Sequence, residues 1–309
     1  MSAPALQEYR ERQAHPARRE GGMRVRGARP QPPAQAPLIS IVTVVYNGAA
    51  TLERAIRSVL QQTYPHIEHL IIDGGSTDGT LELIQRYDGK LAYWVSEPDG
   101  GIFDAMNKGV ALAGGAYVAI LNADDHYAPG AVECVVRALL CEGTEAVYGD
   151  SIFVVEDIGM EGRVTATLNL TRGMTLCHPA LFVARSVYER LGAYDLRYRF
   201  SADLDFALRL RLADVKFAKA SEPLVYYAAG GAAEQHLVRA SWEAMAILAR
   251  QAGVYSVLCY ALMFLKRAVL RGVNACIRTL CGRRAYLWVK RRYYAARGFT
   301  VRGADAGAP

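Results

Sequence analysis

ISIVTVVYN, residues 39–47, is a β-branched run with the length and purity of a strand buried on both faces. Just downstream, Leu52, Ala55, Ile56, Val59 and Leu60 follow at i, i+3, i+4, i+7 and i+8, the spacing of a helix with one apolar stripe, and Thr51 stands where its cap would be. HLIID (69–73) reads as a second strand, leading through GGSTDGT into a short helix marked by Leu81, Ile84 and Tyr87. LAYWVS (91–96), a loop, a helix over 104–113 and the strand AYVAILN (116–122) complete the pattern. Strand alternating with helix in this way predicts an α/β fold, a mostly parallel central sheet with helices on both faces. Beyond Asp150 the periodicity is mixed, with strands expected at 151–155, 163–168, 180–184 and 215–220 and helices at 185–191 and 203–212. This half is expected to supply the acceptor side of a cleft, and no internal repeat is visible.

Open parallel sheets bind ligands beyond the carboxyl ends of their strands. Tyr46, Asn47, Asp73, Ser76, Asp78, Asp99, Asp104 and the group Asn122, Asp124 and Asp125 all follow predicted strands, so they are expected to converge on one rim. AYVAILNADD (116–125) passes abruptly from apolar to acidic. Two carboxylates about 4 Å apart repel by roughly 4 kcal/mol at an effective dielectric near 20, which calls for a positive partner. A divalent cation, Mg²⁺ or Mn²⁺, suits a small set of hard oxygen ligands completed by substrate phosphates. On the motif alone a solvated turn is equally open, since Asn and Asp favour turns and Pro129 follows. A shared rim favours the cation.

The ordered set ISIVTVVYN, IDGGSTDGT (72–80), EPDGGIFDAMNKGVALAGG (97–115), LNADD (121–125) and SADLDFALRL (201–210) resembles the family 2 glycosyltransferases of GT-A fold, most closely the bacterial branch that builds surface polysaccharides. The resemblance spans about 38–230 and implies an inverting, metal-dependent transfer from a nucleoside-diphosphate sugar, UDP-linked by expectation, to a hydroxyl of a saccharide or lipid-linked acceptor. It implies nucleotide contacts at Thr43, Tyr46, Asp73, Asp104 and Asn107, with Asp73 accepting the uracil imide N–H that a cytosine ring lacks. Thr43 could equally be buried, and Asp78 serves better than Asp73 as a helix cap. Gly74 stands where many relatives carry a second Asp, and Met106 where many carry Arg.

Asn122, Asp124 and Asp125 fall on the family's metal motif, with Asp124 the direct ligand and Asn122 in place of the usual first Asp. Asp203 matches the catalytic base, in a motif usually Glu-Asp and here Ala202-Asp203. An acceptor hydroxyl is a poor nucleophile until its proton is drawn off, an effect worth roughly 10²–10⁴-fold. Capping of the helix DFALRLRL is the alternative role for Asp203. His178 and Lys108 are secondary candidates: His178 facing diphosphate or acceptor, or a satisfied loop residue; Lys108 offsetting phosphate charge, or a helix-surface lysine. AAGGAAEQH (228–236) has the glycine content of a lid or of a linker. Two other classes fit a strand-end carboxylate: a nucleotidyltransferase, against which the absence of an early Lys in VVYNGAATLERA counts, and a non-catalytic adaptor of the same fold.

The chain has 309 residues, 52% apolar and 21% charged, enough for a full core. Residues 1–37, with six prolines, are expected to form a disordered leader, 38–240 the catalytic domain and 241–309 a basic amphipathic helical tail. The six cysteines form no CxxC pair and read as reduced thiols, and the beginning lacks a signal-peptide core. The net charge of +6 is concentrated in the tail: from Ala244 to Ala304 there are twelve Lys and Arg and no acidic residue. Without them the remainder is mildly acidic, which argues against a nucleic-acid binder. VYSVLCYALMFL (254–265) is too short to span a bilayer, so the tail reads either as an interfacial segment on an anionic membrane surface or as helices packed on the domain. The expected location is cytoplasmic, peripheral on the inner face of the cytoplasmic membrane.

Overall fold

The computed structural model describes residues 6–11, 15–28, 36–141, 143–228 and 236–302. The first half runs α1 (Leu6–Glu11), β1 (Arg19–Gly21), β2 (Ile39–Val45), α2 (Leu52–Leu60), β3 (Ile67–Asp73), α3 (Thr80–Arg86), β4 (Tyr93–Ser96), α4 (Ile102–Leu112) and β5 (Tyr117–Asn122). There follow β6 (His126–Tyr127), α5 (Ala131–Leu139), β7 (Ala146–Tyr148), β8 (Ser151–Val155), β9 (Met160–Val164), β10 (Leu181–Ala184), α6 (Arg185–Leu191) and α7 (Ala202–Leu212). The chain closes with β11 (Phe217–Lys219), β12 (Val225–Ala228), α8 (Leu237–Gln251), α9 (Val254–Ala295) and β13 (Thr300–Val301).

The main sheet has the order β1-β4-β3-β2-β5-β10-β7-β11, and a second has β13-β9-β8-β12-β6. The four central strands β4, β3, β2 and β5 are parallel, as their apolar purity predicts. Every residue of β2 is buried. Outside that centre β11 pairs parallel with β7, while β10 runs antiparallel to both β5 and β7 and β1 antiparallel to β4, so the sheet is mixed with its parallel pairs in the majority, in keeping with the expected mostly parallel sheet. Periodicity gives which faces a strand buries but not its direction. The register puts Val45 beside Asp73, Val44 beside Asn122, and Asp73 beside Ser96, which brings four strand ends to one edge. α4 lies so close on β2 that a Cβ at Gly109 would come within 2.1 Å of the Val42 side chain, so only glycine fits there.

α2 buries Leu52, Ala55, Ile56 and Val59 while Leu60 is exposed. Thr51 makes no capping bond to α2; its hydroxyl instead reaches the Gly48 carbonyl at 3.4 Å. The expected disordered leader is corrected over its described parts. Leu6 is buried, β1 pairs with β4, and Arg24 bonds the Leu112 carbonyl at 2.7 Å and the buried Glu68 carboxylate. Few large apolar groups suffice there because the segment is fastened by polar bonds to distant parts of the chain.

The tail drawn from 241 begins inside α8, whose Ala244, Ile247 and Leu248 are buried with Leu204 and Leu208 of α7. That helix is part of the catalytic body. α9 bends at Gly282, where φ is 79°. Among the described residues no helix is long and apolar enough to cross a membrane. Of the expected lid, 229–235 lies outside the described residues.

Candidate active site

Asp73 ends β3 fully buried. Its carboxylate accepts the Ser96 hydroxyl at 2.6 Å, the Ser76 N–H at 3.1 Å and the Ser76 hydroxyl. A carboxylate has about four acceptor sites, so about one is left for a ligand donor. The loop after β2 is joined to the loop after β3: the Asn47 N–H donates to the Ser76 hydroxyl at 2.7 Å, and the Thr77 N–H donates to Asn47 Oδ1 at 2.9 Å. Asn47 has a φ of 50°, a left-handed turn that Asn tolerates. Tyr46 is 67% exposed and its ring flanks Gly74. A Cβ at Gly74 would lie 2.7 Å from Asp99 Oδ2, so the carboxylate of Asp99 occupies the space that a second Asp of this loop would need. Burial raises the pKa of Asp99, and the charges of Asp104 and Asp73 add to the rise.

Four of the expected contact residues bond within the protein. Thr43 is fully buried and bonded to His69 Nε2 at 2.8 Å, beneath the rim. Asp104 is buried, accepting the Tyr9 hydroxyl and the Gly100 N–H, each at 2.9 Å. Asn107 is buried and clasps the backbone of Tyr194, with 2.8 Å bonds to both its N–H and its carbonyl. Lys108 is no surface lysine: it is buried and pairs with Glu97 at 2.7 Å. In this structure Asp104 and Asn107 hold the loop before α4 and the loop before α7 in place, while Lys108 neutralises a buried acid.

At the end of β5, Asp124 is exposed and its carbonyl accepts Arg54 Nη2 at 3.0 Å. Asp125 is buried and takes the Asn122 amide N–H at 2.9 Å. Burial, helped by the charge of Asp124, pushes the pKa of Asp125 up to about 7. Asn122 Oδ1 is buried with no hydrogen-bond partner. An orphaned amide oxygen, a buried acid with a raised pKa and an exposed carboxylate on one turn fit a divalent cation, which would occupy the first and ionise the second. Among the described residues no group of three His, Cys, Asp or Glu side chains is placed to hold a metal ion, so ligands beyond the protein would have to complete the shell.

Asp203 opens α7, with Oδ1 accepting the Leu204 N–H at 2.9 Å. Burial pushes its pKa up to about 6, and the charge of Glu243 contributes. Glu243, from α8, accepts the N–H groups of Arg199, Phe200 and Ser201 at 3.0, 2.8 and 3.1 Å and so fixes the start of α7. His178 Nε2 bonds the Tyr194 hydroxyl at 2.8 Å, and burial lowers its pKa to about 4, leaving it neutral at pH 7. Burial raises the pKa of Cys177, with Asp125 and Asp203 both adding to the effect. Both carboxylates therefore lie within electrostatic reach of one thiol.

Asp73, Tyr46, Asn122, Asp124 and Asp125 thus stand at the carboxyl ends of β2, β3 and β5, with Asp203 at the start of α7 and His178 before β10 in the second half. Sequence reasoning missed Glu243, set in a stretch read as a basic tail. It also missed Arg54, which lies on the polar face of α2 and carries no local mark of its role.

The sequence profile for Glycosyl transferase family 2 matches residues 40–183. The PGL/p-HBAD biosynthesis glycosyltransferase of Mycobacterium bovis BCG is 35% identical over 179 residues, which are 56% of this chain and 70% of that protein. S. aureus TarS 1-349 in complex with UDP superposes with a TM-score of 0.57 at 15% identity, covering 78% of this chain and 73% of that one. The mannosyltransferase PcManGT of Pyrobaculum calidifontis, in complex with GDP-Man and Mn²⁺, gives 0.52 at 17% identity, covering 85% and 81%. At such identities the likeness establishes the fold, GT-A. With the profile, the identity to the mycobacterial relative and the fold in agreement, the chain belongs to glycosyl transferase family 2 and is a glycosyltransferase.

Proposed function

We propose that this glycosyltransferase moves a sugar from a UDP-sugar to a hydroxyl of a saccharide or lipid-linked acceptor in surface-polysaccharide synthesis, with inversion at the anomeric carbon. The observation that carries the reading is the buried Asp203 carboxylate, its pKa pushed up to about 6, within electrostatic reach of the same thiol as Asp125 of the Asn122–Asp125 turn. A base works best with a pKa close to operating pH, and Asp203 is mainly ionised at pH 7. As the acceptor oxygen attacks the anomeric carbon, its proton passes to the Asp203 carboxylate and the bond from that carbon to the diphosphate oxygen breaks. Mg²⁺ or Mn²⁺, held by Asn122, Asp124 and Asp125, would supply the charge that stabilises the departing diphosphate.

Asp73, with one acceptor site left, would take the uracil imide N–H, with Tyr46 walling the base. TarS in complex with UDP supports a uridine donor and PcManGT with Mn²⁺ supports a divalent cation. Asp104, Asn107 and Lys108 act by shaping the donor loop, and His178 by holding Tyr194. A lipid-linked acceptor would put the enzyme on the inner face of the cytoplasmic membrane. Neither the nucleotidyltransferase nor the adaptor reading is favoured by the family.

The test is a thermal-shift screen of UDP-, GDP- and dTDP-sugars with and without Mn²⁺. UDP-sugars are expected to raise the melting temperature, with a larger rise when Mn²⁺ is present, and Asp73→Ala is expected to remove the preference for uridine. Stabilisation by another nucleoside alone would overturn the donor assignment.

A further inference from the structure

The two halves of α9 have different surroundings. After the bend at Gly282, Leu287 and Tyr294 pack against Val155, Ile158 and Met160, and Lys290 pairs with Asp157 at 2.7 Å, so this half is fastened to the second sheet. Before the bend, among the described residues, it is the first turns that are anchored, through buried Ser256 and through Val257 and Tyr260 against the α7–α8 cluster. Beyond them Leu258, Leu262, Leu265, Val269, Val273 and Leu280 stand out into solvent, from 48% exposed at Val273 to 83% at Leu280.

Their spacing of i, i+4, i+7, i+11, i+15 and i+22 keeps all six on one side of the helix. At 1.5 Å per residue the stripe is roughly 33 Å long. Counting about 100° per residue, positions 267, 271 and 278 fall on the opposite side, and the sequence has Arg at all three. Such a length of exposed apolar side chains marks a docking surface. Charge decides the occupant. A second copy would bring two helices of the same sign together, with no acid between 244 and 304 to pair with. A bilayer with anionic headgroups satisfies both sides of the helix at once: the stripe enters the acyl boundary while the basic side, with Arg278, meets the phosphates.

We infer that the first half of α9, from Leu258 to Leu280, lies flat in the interface of an anionic membrane, while the second half ties the catalytic body to it. The inference stands independently of the donor assignment, because vesicle binding is read without any nucleotide.

Flotation of the full chain with vesicles of phosphatidylglycerol in phosphatidylcholine, against phosphatidylcholine alone, tests it. Binding to the anionic vesicles only is expected. The double variant Leu262→Glu, Val269→Glu is expected to weaken partitioning at least about tenfold, and Arg278→Gln about fivefold. Both should keep the wild-type circular-dichroism melting curve, since the altered side chains are exposed. Equal flotation with neutral vesicles, or a double variant that floats like wild type, would overturn the inference. So would light scattering that finds a dimer which the double variant splits, with no vesicle binding by the wild type.

Discussion

Replacing Asp203 by Asn keeps the shape of the side chain and removes its charge, and the outcome differs between stability and activity. In the folded chain the Asp203 pKa is pushed from 3.8 to about 6, chiefly by burial. At 1.36 kcal/mol per unit, that shift is a penalty of up to about 3 kcal/mol for carrying the charge in the native state. Below pH 3.8 both folded and unfolded chains hold the proton and nothing is lost. Between 3.8 and about 6 the unfolded chain releases it first, so this group's support for folding falls as pH rises. Above about 6 the whole penalty applies. Asn never ionises, and its Oδ1 can still accept the Leu204 N–H. Urea unfolding should therefore find Asp203→Asn more stable than wild type at pH 8, by up to about 3 kcal/mol, and nearly equal at pH 4. The same variant should lose about 10²–10⁴-fold in sugar transfer. A stability difference of the same size at both pH values would refute the argument, because it would trace to packing and not to charge.

Asp125, with a pKa near 7, must shed its proton to ligate a cation. Calorimetry should therefore find Mn²⁺ affinity rising from pH 6 to pH 8, and Asn122→Asp should tighten it by restoring a charged ligand. Neutralising Glu243 as Gln removes a charge that raises the Asp203 pKa, so the acid limb of the kcat/KM profile should move below about pH 6. Lys108→Met would leave Glu97 buried without its cation, at a cost of about 3–5 kcal/mol. A fall in melting temperature should accompany it, whereas a purely phosphate-binding lysine would change donor affinity and leave the melting temperature alone.

The strand–helix alternation of the first half was legible because β2, β3 and β5 are buried on both faces and their residues say so without reference to anything distant. The rim followed from it, since strand ends in a parallel sheet share an edge. What stayed hidden depends on partners far along the chain. Lys108 looks like a helix-surface charge until Glu97 is beside it, and Asn107 looks like a ligand contact until the backbone of Tyr194 is. In a strand buried on both sides, alternation cannot say which face holds a given residue, so Thr43 could be placed on the rim when it bonds His69. Short strands such as β7 and β12 carry too few residues for a period. The ordered parts of residues 6–28 are held by polar bonds, as from Tyr9 to Asp104 and Arg24 to Glu68, which composition does not reveal.

The central claim is that Asp203 draws the proton from an acceptor held against a donor bound at Asp73 and the β5 turn. Measuring UDP-sugar affinity by calorimetry with Mn²⁺, alongside sugar transfer, for wild type and Asp203→Asn tests it most directly. The account predicts donor binding like wild type with transfer reduced at least about a hundredfold. Transfer at the wild-type rate by Asp203→Asn would contradict it.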